Sequence, residues 1–164
     1  MYQPDTYVEV GLQKGYTFKH IAPMVTRAIG IDKKLLFSNI DLPNSTLYES
    51  DSIKIAKNWT DGAIDLLFID GDHREKSVLA DVDAFLPYVR PCTGLILLHD
   101  TYPSIPKLEA DGYSSTAGTA ARKIHKSPKY KNIEIVTLPG PYAGLSILRK
   151  ATQHLHWKNQ NETS

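Results

Sequence analysis

Sulfur chemistry is nearly absent from this chain, because Cys92 is the only cysteine among 164 residues. One thiol excludes an intrachain disulfide framework and any zinc site built on several cysteines. Excess charge is missing too. Nineteen Lys and Arg against eighteen Asp and Glu leave a formal charge of +1, too little for a bulk electrostatic grip on nucleic acid or anionic membrane. No apolar run approaches the roughly eighteen residues of a membrane span, and the start, Met1–Asp5, has neither the basic nor the apolar segment of a secretion leader. A cytoplasmic protein with no membrane partner is the expectation. There is no internal repeat.

What remains is ordinary globular composition, 41% hydrophobic and 23% charged, enough for a single domain with a real core. The expected domain spans 1–150, and the polar segment 151–164 reads as a tail that frays. Short apolar runs alternate with stretches of helical spacing. Thr6 to Val10 reads as a strand running into Gly11 and Gly15, followed by a helix over Thr17 to Thr26. Ala28 to Ile31 and Leu47 to Glu49 are further strands, and Ser52 to Trp59 a short helix. Leu66 to Ile69 and Leu95 to Leu98 are uninterrupted apolar runs of the kind buried on both faces. Between them, Arg74 to Tyr88 places Val78, Leu79, Val82, Phe85 and Leu86 at helical spacing. Ala117 to Lys126 reads as a last helix, and Ile133 to Leu138 and Gly144 to Leu148 as closing strands.

Alternating strands and helices imply an α/β fold, a parallel sheet sandwiched between helices. Ligands in such sheets bind at the carboxyl ends of the strands. There the sequence concentrates its polar residues: Asp70-Gly71-Asp72-His73 after one buried run, His99-Asp100-Thr101 after the other. Gly11 and Gly15 permit a tight turn with close backbone approach to a ligand, although the spacing is not that of a dinucleotide loop. Asp32 and Asp51 end the second and third strands. A carboxylate at Asp32 can accept both hydroxyls of a ribose, and Asp51 can face an adenine edge. The layout is that of a nucleoside pocket without a phosphate grip.

The run Y-V-E-V-G-x-x-x-G, then G-I-D, F-I-D-G-D-H and P-x-x-G-L-I-x-x-H-D-T, closely resembles the class I S-adenosylmethionine-dependent methyltransferases. Within these it is most similar to small-molecule and sugar O-methyltransferases that carry a D-G-x-H motif and often bind a divalent metal. The resemblance covers about Thr6 to Lys150. It implies a Rossmann-like three-layer sandwich, a mostly parallel seven-stranded sheet whose last strand is antiparallel, and a donor bound across Glu9, Gly11, Asp32 and Asp51, with Gly15 in the turn. It also implies a hydroxyl acceptor that is a small molecule: a sugar, a polyketide-like or a catechol-like compound.

Asp70 and Asp100 would lie at adjacent strand ends, within reach of one hard cation such as magnesium. His99 is a third candidate ligand. It departs from the acidic or amide residue of the resembling enzymes, and a nitrogen donor suits manganese, iron or zinc better. It can equally donate a hydrogen bond to a loop carbonyl and touch no metal. His73 takes the position of a histidine base in the resembling sugar methyltransferases, so His73 and Asp70 are the expected catalytic pair. Asp72 either caps the following helix or contacts the donor.

Other readings stay open. Arg122, Lys123, His125, Lys126 and Lys129 to Lys131 form a basic stretch suited to RNA phosphates or to plain solvation. A donor-binding module without catalysis is a third possibility, and a nicotinamide oxidoreductase lacks its third glycine. The loop Tyr102 to Ser115 reads as a lid or acceptor wall. The short segment before the first strand leaves the acceptor open and allows a pocket shared in a homo-oligomer.

Overall fold

A computed structural model describes residues 3–36, 42–105, 115–140 and 143–151. Seven strands, β1 (Thr6–Val10), β2 (Arg27–Asp32), β3 (Ser45–Glu49), β4 (Leu66–Ile69), β5 (Leu95–His99), β6 (Ile133–Leu138) and β7 (Leu145–Lys150), form one sheet in the order β3-β2-β1-β4-β5-β7-β6. β1 to β5 are mutually parallel, whereas β7 enters antiparallel between β5 and β6. The last strand in sequence is thus the antiparallel one, as the resemblance implies. The expected tail lies, past residue 151, outside the described residues.

Each buried strand feeds two cores because its side chains alternate. Val8, Val10, Ile29, Ile31, Leu67, Ile69, Ile96 and Leu98 pack on one face, under the helices α2 (Ser52–Lys57), α3 (Glu75–Phe85) and α4 (Ala117–Lys126). Tyr7, Ala28 and Phe68 point to the other, where they meet Phe18 of helix α1 (Tyr16–Ile21). Both faces being apolar explains why the strands read as continuous runs.

Where helix boundaries differ from expectation, proline and glycine are the reason. The helix expected over Thr17 to Thr26 stops at Ile21 and tightens into a 3-10 turn over Ala22–Met24, because Pro23 has no N–H to give the ladder. α3 ends at Phe85, short of Tyr88, with Pro87 just beyond. β7 begins at Leu145, since Gly144 takes φ +70, and a Cβ on it would lie 2.5 Å from that of Tyr102. That close approach seats the segment after β5.

β1 and β4 meet in the middle of the sheet, with Val10 beside Ile69. The chain reverses direction of use at this point: β2 lies on one side of β1 and β4 on the other. The crevice between their carboxyl ends is where an open α/β sheet binds its ligand.

Candidate active site

Gly11, the first residue past β1, has φ +89, and a Cβ there would lie 2.4 Å from the carbonyl oxygen of Asp70. The two strand ends can therefore come together only over a glycine. Beside this contact opens a cleft of about 1440 Å³, lined by Glu9, Gly11, Asp32, Asp51, Asp70, Asp72, His73 and His99 among others. Gly15 is buried and forms the turn into α1, with φ +70, without lining the cleft. Asp100 is also outside the lining.

Asp32 fastens the floor. One of its oxygens accepts from the backbone N–H of Leu12 at 2.7 Å and of Gln13 at 2.9 Å, and the other from Lys34 at 3.0 Å. A carboxylate offers about four acceptor positions, so one remains, enough for a single further donor rather than for both hydroxyls of a ribose. Asp51 caps α2, accepting from Ile53 and Lys54, and pairs with Lys33 Nζ at 3.4 Å. Asp72 does neither job cleanly. It accepts from Arg74 N at 3.0 Å, from the Arg74 guanidinium and from Ser77 Oγ at 2.8 Å, while the N-cap position of α3 belongs to Arg74. The Arg74 guanidinium holds the Asp72 carboxyl well below the usual range.

Glu9 is buried and accepts from Tyr7 Oη at 2.5 Å. Burial, against that hydrogen bond and with Asp70 adding repulsion, pushes its carboxyl up to about 7. Asp81 is an acid in the buried stripe of α3 that sequence reasoning passed over. It lines the cleft at 5% exposure, bonded to Ser52 Oγ of α2. The available signal was its position three residues after Val78 and four before Phe85. Burial pushes its carboxyl up to about 6, against the Ser52 hydrogen bond, with Asp51 and Asp72 raising it and Lys33 lowering it.

A carboxyl that binds its proton more tightly folded than unfolded loses stability as pH rises from about 4 through about 6. The displacement from 3.8 to about 6 is worth about 3 kcal/mol at most. Asp81→Asn keeps an acceptor for Ser52 and removes the charge. It is expected to match the parent at pH 4 and to exceed it by about 1–3 kcal/mol at pH 8, read by urea unfolding. Equal stability of the two proteins at both pH values would refute the assignment.

At the other end of the cleft β4 and β5 deliver four polar side chains to one place. Asp70 Oδ1 lies 2.9 Å from His99 Nδ1 and 3.2 Å from His73 Nε2. Asp100 Oδ1 is 3.2 Å from His99 Nδ1, and its Oδ2 is 3.3 Å from His73 Nδ1. The edge of the Phe68 ring against His99, with centroids 5.8 Å apart, orients that imidazole. Asp100 takes φ 56, a left-handed conformation that aspartate tolerates better than most residues. Its neighbour Thr101 is buried and accepts from Ser146 Oγ of β7 at 2.7 Å, and Tyr102 N donates to the carbonyl of Ala143. The segment that carries Asp100 is therefore held by β7, which the sequence alone did not place beside β5.

Burial pushes Asp70 up, but the His73 and His99 imidazoles outweigh it and hold the carboxyl below its usual range. Asp100, then Asp70, push His99 up to about 10. His99 Nδ1 is nevertheless a buried atom with no partner in hydrogen-bonding geometry: the carboxylates are close enough to stabilise its charge but not aligned to accept its N–H. Ligand atoms of Asp70, His73 and His99 all lie within 4.8 Å of one another. These residues fit a cation. The sequence expectation named Asp70, His99 and Asp100; the structure groups Asp70 and His99 with His73, and Asp100, although 3.2 Å from His99 Nδ1, is not among these mutually close ligand atoms.

Within the basic stretch Lys123 pairs with Glu75, and Lys129, just past α4, lies 2.6 Å from Asp83, which also accepts from Tyr130. Among the described residues no helix is long and apolar enough to cross a membrane. Residues 106–114 of the expected lid lie outside the described residues; Tyr102 and Ile105, at its start, are exposed.

The methyltransferase-domain family matches residues 8–101, more than half of the chain. No curated protein is a significant sequence match. Among solved structures the fold is similar to an O-methyltransferase from Bacillus cereus in complex with SAH, at 16% identity and a TM-score of 0.63, covering 90% of this chain and 74% of that one. It is similar to the O-methyltransferase TomG from Streptomyces achromogenes, involved in tomaymycin synthesis and in complex with SAM, at 12% identity and a TM-score of 0.62, covering 92% and 74%. MycE methyltransferase of the mycinamycin biosynthetic pathway, in complex with Mg, SAH and mycinamycin VI, matches at 20% identity and a TM-score of 0.61, covering 91% of this chain and 45% of that one. With residues from β1 through the end of β5 matched, and the strand order and cleft described above, the chain belongs to the methyltransferase-domain family and is a class I, S-adenosylmethionine-dependent methyltransferase.

Proposed function

We propose that the chain methylates a hydroxyl group of a small molecule, with S-adenosylmethionine as donor and a divalent cation assisting at Asp70. The observation that carries this reading is the convergence of Asp70, His73 and His99 at the end of the cleft away from Asp51. The neighbours MycE, with Mg and SAH, and TomG, with SAM, are consistent with that chemistry in this fold. When bound, the donor supplies an electrophilic methyl group, and a divalent ion supplies a positive charge that lowers the pKa of a hydroxyl and orients it.

The chain's own residues do the rest. The β1–α1 loop, pinned to Asp32, shapes the nucleoside end, and the last acceptor position of Asp32 takes one ribose hydroxyl. Tyr16 and Leu36, both exposed at the cleft, offer apolar surface. His73 accepts at Nε2 the proton that an acceptor hydroxyl must lose, and Asp100, 3.3 Å from Nδ1, holds the tautomer protonated at Nδ1. Asp70, 3.2 Å from Nε2, adds to the stabilisation of the resulting imidazolium. A small-molecule acceptor belongs to the same reading.

Calorimetric titration with S-adenosylhomocysteine tests the donor assignment. The parent is expected to bind, and Asp32→Ala to bind about 10–100-fold more weakly, because it releases the loop and loses a part-buried charge-assisted bond of about 1.5–3 kcal/mol. No binding by the parent would sink the proposal, and full affinity in the variant would sink the role of Asp32. A screen of sugar and catechol acceptors with and without magnesium then reads the acceptor class.

A further inference from the structure

We infer that the cation site is an imidazole–carboxylate centre in which His99 Nδ1 is a metal ligand, and that this nitrogen tunes the site to a first-row transition-metal ion in place of magnesium. The inference rests on the proposed function for its location and goes beyond it in naming the ion class and the residue that selects it.

Three observations carry it. The first is spacing. Neighbouring ligands of an octahedral ion with bonds of about 2.1 Å lie about 3.0 Å apart. Asp70 Oδ1 lies 2.9 Å from His99 Nδ1, the separation that a carboxylate oxygen and an imidazole nitrogen adopt at adjacent corners, whereas Asp100 is not among the ligand atoms that lie mutually close. The second is the state of that nitrogen. His99 Nδ1 is buried and has no group in hydrogen-bonding geometry, although buried polar atoms are paired as a rule. A lone pair given to a cation held beside Asp70 removes the anomaly, because it needs no N–H to be accepted. The third is support. Phe68 packs with its ring perpendicular to the imidazole, and Ser146 of β7 together with Ala143 in the turn before it holds the segment of Asp100. A ligand set fixed by packing tolerates little rearrangement.

The donor set decides the ion. Magnesium prefers carboxylate and water oxygens and leaves a nitrogen ligand poorly rewarded, whereas imidazole suits iron, nickel, copper and zinc, and manganese serves as the paramagnetic probe of the first-row series. His73, 3.2 Å from Asp70 Oδ1, adds a second imidazole at the rim and leaves the site no purer in oxygen.

First-row ions outbind magnesium at most nitrogen- and oxygen-bearing sites, so a preference alone is no test; its dependence on His99 is. The full chain is titrated with MnCl2, followed by loss of the free-ion paramagnetic resonance signal, and then with MgCl2 in competition. The parent is expected to favour manganese by at least about a hundredfold, and its electron spin echo is expected to carry the modulation of a directly bound nitrogen. In His99→Asp the manganese-over-magnesium ratio is expected to fall at least about tenfold, and the nitrogen modulation to vanish. A ratio unchanged in His99→Asp, or nitrogen modulation that persists in it, overturns the inference. S-adenosylhomocysteine affinity, measured on the same samples, separates the outcomes. If it is retained while the selectivity does not depend on His99, this inference alone fails; if it is absent from the parent, the methylation reading fails as well.

Discussion

Asp70→Asn is expected to lower turnover by about three orders of magnitude or more while leaving S-adenosylhomocysteine affinity within about threefold. The carboxylate stands between two imidazoles, 2.9 Å from one and 3.2 Å from the other. It serves the cation and the base together, and each contribution is commonly worth a factor of about 10²–10³. Nucleoside binding depends on other groups, chiefly the Asp32-clamped loop. Single-turnover rates with a responsive acceptor, set beside calorimetry, check both halves. Asp70→Glu is the useful companion. It keeps the charge but moves the oxygens by one methylene, so its turnover should also collapse if placement matters, and should largely recover if charge alone suffices. Because Asp70 is part-exposed at the mouth of the cleft and outside both hydrophobic cores, the asparagine variant is expected to fold, and an unfolding curve of parental shape confirms it. Turnover within tenfold of the parent would remove Asp70 from the mechanism.

Much of this was legible in the residue order, for a reason specific to the fold. Strands buried on both faces, such as Leu66–Ile69, announce themselves as apolar runs, and the polar residues just after them had to be either functional or costly. Asp70, His73, His99 and Asp100 were found in that way. Strand order was not legible from residue pattern. β7 lies between β5 and β6, and nothing in Leu145–Lys150 states its partners; the resemblance implied only that the last strand is antiparallel, and the structure supplies the order. With it came the supports no local pattern shows: Ser146 on Thr101, and Thr116 Oγ1 accepting from Glu75 N at the start of α3. Asp32 illustrates a different limit. Its position at the end of β2 marked it as a ligand of the ribose, but three backbone N–H groups had already claimed most of its acceptor capacity. Asp51 likewise spends one oxygen on capping α2. A sequence reports which group stands at a strand end, not how many of its lone pairs the backbone uses.

The role of His73 can be separated from that of its neighbours by one variant measured two ways. Its two ring nitrogens lie 3.2 Å from Asp70 Oδ1 and 3.3 Å from Asp100 Oδ2, so the same geometry serves a base steadied by two carboxylates and a ligand that shares their cation. The two roles differ in what they leave behind. A base removed as His73→Ala lowers the maximal rate by about 10²–10⁴, with cation affinity and S-adenosylhomocysteine affinity both held within about threefold. A ligand removed by the same substitution lowers cation affinity by tenfold or more, and saturating ion then restores part of the rate. The first outcome is expected, because Asp70 Oδ1 and His99 Nδ1 already stand at neighbouring-ligand spacing, 2.9 Å apart, without His73. Raising the pH distinguishes the two further: in the alanine variant hydroxide takes over the proton, so its rate should climb steadily with pH where a merely ion-depleted enzyme would not. A rate rescued by excess cation would reassign His73 to the metal and remove it as the base.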